Sequence, residues 1–151
     1  MTRVDSIETP LGTIHLAVRD GALLAVSFDT PAALGGERGR TEATERLRAY
    51  FAGEVRALDD LRVDPQGTPF QKRVWSLLRQ IPAGETRSYG QLASALSSHP
   101  RAVGAANGKN PVALVIPCHR VIAADGSLCG YASGVDRKRW LIEHEAAHRR
   151  V

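Results

Sequence analysis

The sequence predicts an α+β fold in which a small N-terminal antiparallel β-sheet with one helix precedes a mostly helical C-terminal domain with a winged-helix-like helix-turn-helix. Two observations predict this class. The first third of the chain alternates between apolar and polar side chains, as half-buried strands do, and contains an Asp-Gly turn signal. Residues 67–151 contain a succession of helix start and stop signals. We therefore place the boundary between two domains of the 151-residue chain after residue 66.

The N-terminal part is predicted to contain a β-hairpin and a helix. Residues 13–18 have the composition of a strand, residues 20–21 are Asp-Gly, and residues 23–28 are the expected partner strand. Gly53 follows a stretch with helical spacing of apolar residues and is expected to end that helix. A loop that contains glycine and proline is predicted over residues 29–40, and the helix over residues 41–51. Residues 54–66 are predicted to be a polar connector with room for one short strand.

The C-terminal part is predicted to contain four helices and one buried strand. Thr68 and Pro69 are the expected N-cap and first residue of the first helix, which ends near Ile81. Ser88 is placed to cap the second helix, and Pro100 is placed to begin the third. The second helix is predicted over residues 89–96 and the third over residues 101–107. An apolar strand over residues 112–116 and a C-terminal helix over residues 135–148 follow.

Charge is divided unevenly between the two parts. Residues 1–66 carry 8 basic and 11 acidic side chains, whereas residues 67–151 carry 12 basic and 5 acidic ones. A basic domain is typical of proteins that bind a polyanion such as nucleic acid, although charge also serves solubility. No segment is apolar enough to predict a membrane span or a secretory signal, and two cysteines are too few for a disulfide scaffold. These features predict a reduced, cytoplasmic protein with no membrane partner.

The two short helices joined by a tight turn fit a helix-turn-helix and, equally, an ordinary helical hairpin. The second of them consists mostly of small residues. Within it, only Arg101 and Asn107 can hydrogen-bond strongly to a base edge. Small residues let a backbone approach a surface closely, so this helix favours contact with DNA shape and backbone over sequence readout. A transcription regulator is therefore a poor match.

The segment around Cys118 is the most specific feature of the sequence. A cysteine that follows an apolar run and a proline is well placed for chemistry, and its thiolate form requires a base. His119 is the adjacent base, but consecutive residues on a strand point to opposite faces. Either the chain turns at Cys118, or a water molecule relays the proton. Glu143 and Glu145 are both candidates for the carboxylate that orients the imidazole.

Other interpretations of these residues remain open. A free buried cysteine more often serves packing than chemistry. Cys118, His119, Cys129 and His144 lack the paired short spacing of a zinc site, so no metal ion is predicted, and we interpret Cys129 as a bystander. A cysteine hydrolase would use Cys118 and His119 with turnover, but it would leave the basic half of the sequence unexplained.

Taken together, the motifs resemble those of the O6-alkylguanine-DNA alkyltransferases, also called methylated-DNA–protein-cysteine methyltransferases. The resemblance is carried by Pro-Cys-His-Arg-Val at residues 117–121 and Asn-Pro at residues 110–111. Arg-Ala-Val-Gly at residues 101–104 and Ser-Tyr-Gly-Gln-Leu-Ala at residues 88–93 extend it. Residues 9–12 and 50–54 look like the N-terminal domain of the family, which implies an RNase H-like sheet for residues 1–66.

The resemblance implies chemical roles for five residues. Cys118 matches the cysteine that accepts the alkyl group, His119 matches the base that acts on it through a water, and Glu145 matches the carboxylate that holds this histidine. Asn110 matches the asparagine that braces the turn next to the helix-turn-helix. Tyr89 matches the tyrosine beside the flipped guanine, where it is the expected hydrogen-bond donor to the departing O6.

The resemblance also implies DNA contacts and a substrate pocket. Arg101 matches the arginine finger that enters the duplex where the damaged nucleotide leaves. The other expected DNA-contacting residues are Tyr89, Ser88, Ala102, Gly104 and Lys109. The expected residues of the alkyl pocket are Tyr131, Val121, Ala132, Ser133 and Ala113.

A DNA repair function follows from the resemblance. Such a protein flips O6-alkylguanine, chiefly O6-methylguanine, out of duplex DNA and transfers the alkyl group irreversibly to its own Cys118, once per molecule and without a cofactor. The resemblance implies a monomer that binds double-stranded DNA through the minor groove without sequence specificity, in the cytoplasm and, in a prokaryote, at the nucleoid. The alternative is a helix-turn-helix module that recognises alkylated DNA without turnover.

Overall fold

The computed structural model describes residues 2–28, 35–128 and 131–149, which form two compact units. The first unit combines the described residues up to Gln66 with Pro111–Val115, and the second combines Gly67–Asn110 with the described residues from Ile116 onward. The first unit is mainly a sheet with one helix, and the second is mainly helical, so the predicted α+β class is confirmed. The assignment of two domains that meet after residue 66, and of an RNase H-like sheet, stays a prediction.

The sheet of the first unit contains β1 (Thr2–Thr9), β2 (Gly12–Arg19), β3 (Ala22–Phe28) and β4 (Glu37–Arg38), in the order β3-β2-β1-β4. The first three strands pair antiparallel, and β4 pairs parallel to β1. The predicted hairpin is β2–β3. Its two-residue turn has positive φ at both Asp20 (53°) and Gly21 (79°), which is the backbone conformation that an Asp-Gly turn provides.

Helix α1 (Glu42–Phe51) is fixed at its start by a capping box of Thr41 and Thr44. Thr44 is fully buried and donates its hydroxyl to Asp5 Oδ2 of β1 at 2.7 Å. Leu47 and Tyr50 lie on the buried face of the same helix. This face and one side of the sheet form the core of the first unit.

The second unit contains α2 (Pro69–Leu78), α3 (Tyr89–Ala95), α4 (Pro100–Gly108) and α5 (Val135–Ala147). Thr68 and Ser88 cap α2 and α3 as predicted, each in a capping box with a glutamine three residues later. Helix α2 packs against α4, where the buried Trp75 indole donates to the Ala106 carbonyl oxygen at 2.9 Å. Strands β5 (Arg87–Ser88) and β6 (Val121–Ile122) form a short parallel pair.

The predicted strand over residues 112–116 is wrong. Val112 takes part in an isolated bridge with Val26, outside any strand. Leu114 has a φ of 72°, and the Val115 N–H donates to the Ala113 carbonyl oxygen at 2.8 Å. The run is buried, as its apolar composition requires, but the chain turns within it. Apolar composition indicates burial and not extension, which is why the pattern failed here.

Two strands of the sheet lay outside the sequence prediction. Strand β1 contains three charged residues in eight, so its hydrophobic alternation is weak. Strand β4 has two exposed charged residues and lies within the stretch predicted as a loop. An edge strand this short has little composition to mark it, and charged side chains at an edge are common because they oppose further pairing.

Candidate active site

Cys118 begins a 3₁₀ turn that spans Cys118–Arg120. The Cys118 N–H donates to the Ile116 carbonyl oxygen at 2.8 Å, and the Arg120 N–H donates to the Pro117 carbonyl oxygen at 3.0 Å. The chain therefore turns at the cysteine, so Cys118 and His119 do not point to opposite faces of a strand. Both residues are buried, with Cys118 7% exposed and His119 fully enclosed.

His119 is paired with Glu145 of α5. Its Nε2 lies 2.7 Å from Glu145 Oε2, and the two side chains are 0% and 1% exposed. Glu143, the other candidate carboxylate, lies on the exposed face of α5. His119 Nδ1 is buried and has no hydrogen-bond partner among the described residues. One ring nitrogen is thus engaged by the carboxylate, and the other is available to exchange a proton.

Arg120 contacts the same carboxylate and was not predicted to take part in the site. Its Nε lies 2.8 Å from Glu145 Oε1, and its Nη2 lies 3.0 Å from Oε2. Burial alone would raise the pKa of the Glu145 carboxyl. The charge and hydrogen bond of His119, followed by those of Arg120, outweigh burial and hold this pKa well below its ordinary value.

The thiol of Cys118 lies among polar groups that oppose the effect of its burial. Burial raises the pKa of Cys118, whereas a hydrogen bond with Asn110 and the charge of Lys138 lower it. Asn110 also donates from Nδ2 to the Ile116 carbonyl oxygen at 2.7 Å, which fixes its amide beside the turn. Asn107 of α4 donates from Nδ2 to the Cys118 carbonyl oxygen at 3.3 Å.

Lys138 of α5 is a site residue that the sequence prediction missed. Its side chain is fully buried, and its Nζ lies 5.8 Å from the centroid of the Tyr89 ring, within the range of a cation–π interaction. A signal for it existed in the sequence: Lys138, Leu141 and Glu145 recur at helical spacing, so they share one face of α5, and all three are buried. This pattern alone did not predict a buried lysine, because lysine side chains are almost never fully buried in proteins.

We expect Lys138→Met to raise the pKa of Cys118 further. Removing the positive charge destabilises the thiolate but leaves the neutral thiol unaffected, so the thiol ionises at higher pH. At neutral pH, alkylation of Cys118 by iodoacetamide should slow, because less of the thiol is ionised. The measurement is the rate of alkylation against pH. Lys72→Met, the same change at an exposed position of α2, is the matched control and should leave the profile unchanged.

The predicted DNA-contacting residues lie on or beside α3 and α4. Ser88 is the N-cap of α3 and Tyr89 is its first residue. Gly104 of α4 faces Tyr89, because a Cβ at this glycine would lie 3.9 Å from the tyrosine ring. Arg101 is exposed near the start of α4. The other exposed members of the set are Ala102 within α4 and Lys109 at its end.

The predicted pocket residues have different environments. Tyr131 is buried, its hydroxyl has no hydrogen-bond partner among the described residues, and burial raises its pKa well above the ordinary value. Val121 is fully buried at the start of β6, and Ala113 is buried in the first unit. The remaining two are Ala132, which is exposed, and Ser133, whose carbonyl oxygen accepts from Arg137 at 3.3 Å. Cys129 lies outside the described residues.

The described part of the chain contains neither a metal-binding cluster nor a helix suited to a membrane. In residues 2–28, 35–128 and 131–149, no three His, Cys, Asp or Glu side chains come together as a group able to hold a metal ion. Over the same ranges, no helix combines the length and the apolar character that crossing a membrane requires.

Comparison with known proteins gives a consistent result. The family model described as "6-O-methylguanine DNA methyltransferase, DNA binding domain" matches residues 69–147. The chain is 44% identical over 150 residues to the methylated-DNA–protein-cysteine methyltransferase of Methanosarcina acetivorans, across 93% of this chain and 96% of that protein. It is 43% identical over 157 residues to the protein of the same name from Mycolicibacterium paratuberculosis, across 98% of this chain and 94% of the relative.

The fold agrees with these sequence matches. The crystal structure of Mycobacterium tuberculosis OGT in complex with DNA superposes with a TM-score of 0.87 at 40% sequence identity, across 97% of this chain and 94% of that one. This structural match covers nearly the whole chain, as the alignments with the two sequence relatives also do. The chain therefore belongs to the family of methylated-DNA–protein-cysteine methyltransferases, DNA repair proteins that transfer an alkyl group to a cysteine.

Proposed function

We propose that this protein repairs O6-alkylguanine, chiefly O6-methylguanine, in double-stranded DNA by moving the alkyl group to Sγ of Cys118. The observation that carries the proposal is the buried Cys118 next to a histidine whose Nε2 is held by Glu145 and whose Nδ1 is unengaged by the described residues. A carboxylate–imidazole pair beside a thiol is an arrangement that generates a nucleophile. A cysteine that only filled space would need neither partner.

The first chemical step is removal of the thiol proton. Because burial raises the pKa of Cys118, little thiolate exists at neutral pH unless a base assists. His119 Nδ1 takes the proton, through a water molecule as the family resemblance implies. Glu145 stabilises the resulting imidazolium, while Asn110 and Lys138 favour the thiolate. The buried surroundings strengthen each of these interactions.

The second step is an in-line displacement at the alkyl carbon. The thiolate forms the new S–C bond, the C–O6 bond breaks, and its electron pair stays on the guanine oxygen. Tyr89 donates a hydrogen bond to O6 as negative charge develops there. The proton that left the thiol balances the proton that the guanine takes up on release. The S-alkyl thioether that forms on Cys118 is stable, and His119 does not regenerate the thiol. Each protein molecule therefore reacts once.

The base must leave the duplex before it can reach a buried thiol. Helix α4 supports this part of the proposal because it is built from small residues and exposes Arg101 near its start. We propose that α4 lies in the minor groove, where small residues permit close approach without reading sequence. Arg101 then fills the space of the extruded nucleotide. The protein acts as a monomer, and Ser88 and Lys109 contact the DNA backbone.

The proposal is tested by the mass of the protein after incubation with duplex DNA containing O6-methylguanine. We expect a gain of one methyl group per molecule, on the peptide that contains Cys118. Cys118→Ser should bind the same DNA without any gain, and Cys129→Ser is the matched control that should still react.

Each other outcome has a distinct meaning. Binding without a mass gain in the wild type would favour a module that only recognises alkylated DNA. Several product molecules per protein would favour a cysteine hydrolase. A methyl group on Cys129 in place of Cys118 would refute the assignment of the nucleophile.

A further inference from the structure

The guanidinium of Arg120 is almost completely enclosed and uses all three of its nitrogens. Its Nε and Nη2 form a two-point ion pair with Glu145 Oε1 and Oε2, at 2.8 and 3.0 Å. Its Nη1 donates to the Ile81 carbonyl oxygen, beyond the end of α2, at 2.6 Å. Arg120 is only 5% exposed, so water contributes little to the solvation of its charge. Its plane, and therefore the plane of the carboxylate, is fixed.

The carboxylate that Arg120 fixes is the one that contacts His119. Glu145 Oε2 lies 3.0 Å from Arg120 Nη2 and 2.7 Å from His119 Nε2, so one oxygen serves both partners. An ionised carboxylate only accepts hydrogen bonds, so Nε2 must be the nitrogen that carries the proton. In neutral imidazole the other nitrogen, Nδ1, then presents a lone pair. This is the nitrogen without a partner among the described residues.

We propose that Arg120 is a positioning residue for alkyl transfer, which holds Glu145 ionised and oriented so that His119 keeps its proton on Nε2 and presents Nδ1 to the thiol proton. The inference rests on the proposed function, in which Cys118 is the acceptor. It assigns to the arginine of the Pro-Cys-His-Arg motif a role in selecting the histidine tautomer. Arg120 itself touches neither the thiol nor the alkyl group.

Arg120 also helps to keep Glu145 ionised. Burial alone would raise the pKa of the Glu145 carboxyl, and a protonated carboxyl could donate to Nε2 and so move the imidazole proton to Nδ1. His119 and then Arg120 oppose this effect of burial, so the carboxylate stays ionised and Nδ1 stays open to the thiol proton when Cys118 is deprotonated. In that step the S–H bond of Cys118 breaks and an N–H bond forms at Nδ1, while the Arg120–Glu145 pair keeps its charges.

The surroundings of His119 combine neutral groups with titratable and charged ones. Helix α2, which packs on the 3₁₀ turn, buries only apolar residues, and α4 contributes the neutral amide of Asn107. Among the described residues, the titratable and charged groups near the turn include Cys118 and Arg120 on the turn itself, Tyr131 before α5, and Arg137, Lys138 and Glu145 on α5. Arg120 contacts both oxygens of Glu145.

The test compares the pH dependence of single-turnover methyl transfer in wild type and Arg120→Met. The variant removes a buried positive charge from beside the His119–Glu145 pair, so the pair should hold an extra, inactivating proton to higher pH. We expect the acid limb of the pH–rate profile to move upward by about one to three pH units, with the rate recovering at alkaline pH. Arg120→Lys should shift the limb less, because it keeps the charge but loses the two-point geometry. Arg139→Met, the same change at an exposed position of α5, should not move the limb.

A purely structural role for Arg120 predicts a different result. The rate would then fall by the same factor at every pH, or not at all, and either outcome in a folded variant would overturn the inference. If Arg120→Met does not fold, Arg120→Lys decides in the same way.

The wild type provides a second measurement that needs no variant. Long-range ¹H–¹⁵N spectra of the ¹⁵N-labelled protein at neutral pH should show His119 protonated on Nε2 alone. An Nδ1–H tautomer or an imidazolium in the resting protein would overturn the inference. Methylation of wild-type Cys118 tests the proposed function separately. If the wild type methylates and the profile of Arg120→Met is unshifted, only the role of Arg120 is removed.

Discussion

Glu145→Gln is expected to abolish detectable alkyl transfer and to lower the free energy of unfolding by about 3–5 kcal/mol. The carboxylate accepts from both His119 and Arg120 in a site from which water is excluded. Glutamine removes the negative charge but leaves the Arg120 guanidinium buried, so the variant keeps an uncompensated cation. It also replaces an acceptor oxygen by an amide that can donate, which disrupts the orientation of His119.

The measurement for Glu145→Gln pairs urea unfolding with the methyl-transfer assay. Glu143→Gln, the same substitution on the exposed face of α5, is the control and should change neither quantity appreciably. Adding Arg120→Met to Glu145→Gln should restore part of the lost stability, because it removes the stranded charge, but it should not restore transfer. A Glu145→Gln protein as stable as wild type would contradict the buried ion pair.

The same substitution should alter the acid sensitivity of the fold. The pKa of Glu145 in the folded protein is depressed below its value of 4.5 in the unfolded chain. The stability that this group contributes is therefore fully present above pH 4.5 and is lost as the pH falls below it. We expect the difference in unfolding free energy between wild type and Glu145→Gln to shrink as the pH is lowered through this range.

Arg101→Ala is expected to slow methyl transfer from duplex DNA by about 100-fold and to leave transfer from the free base O6-methylguanine nearly unchanged. Extruding a nucleotide costs a few kcal/mol, and each 1.36 kcal/mol corresponds to a factor of about ten in rate. The exposed side chain of Arg101 can offset this cost only where a base stack exists. The free base enters the pocket without any extrusion.

The measurement for Arg101→Ala is the pair of single-turnover rates on the two substrates. Arg139→Ala, which removes an exposed arginine of α5, is the control for a general loss of positive charge. Equal losses on duplex and free base would show that Arg101 supports the fold or the chemistry, and the finger role would be wrong.

The sequence predicted best those elements whose signals are local. The β2–β3 hairpin was predictable because Asp20 and Gly21 supply the two positive φ values that a two-residue turn needs. Thr68 and Ser88 marked helix starts because each side chain accepts from a backbone N–H three residues later. The turn within Pro111–Val115 was not predictable, because the φ of Leu114 depends on where its neighbours pack and not on its side chain.

The same distinction applies to the site. Cys118 and His119 were apparent because they are adjacent in one motif, and the choice of Glu145 over Glu143 came from the family resemblance. The buried positions of Arg120 and Lys138 depend on the packing of α5 against the 3₁₀ turn, which composition does not reveal. Both residues belong to types that are mostly exposed, so their burial is a property of the fold.

The chain leaves the second unit at Asn110, contributes Pro111–Val115 to the first, and returns at Ile116, two residues before the nucleophile. The Ala113 N–H donates to the Val26 carbonyl oxygen at 3.1 Å, and the Val26 N–H donates to the Pro111 carbonyl oxygen at 3.0 Å. These partners are far apart in the sequence, so their pairing closes a large loop and is a slow type of folding event. The peptide that leads to Cys118 should therefore order late, and a fragment that begins at Gly67 would lack Val26, the strand partner of this peptide.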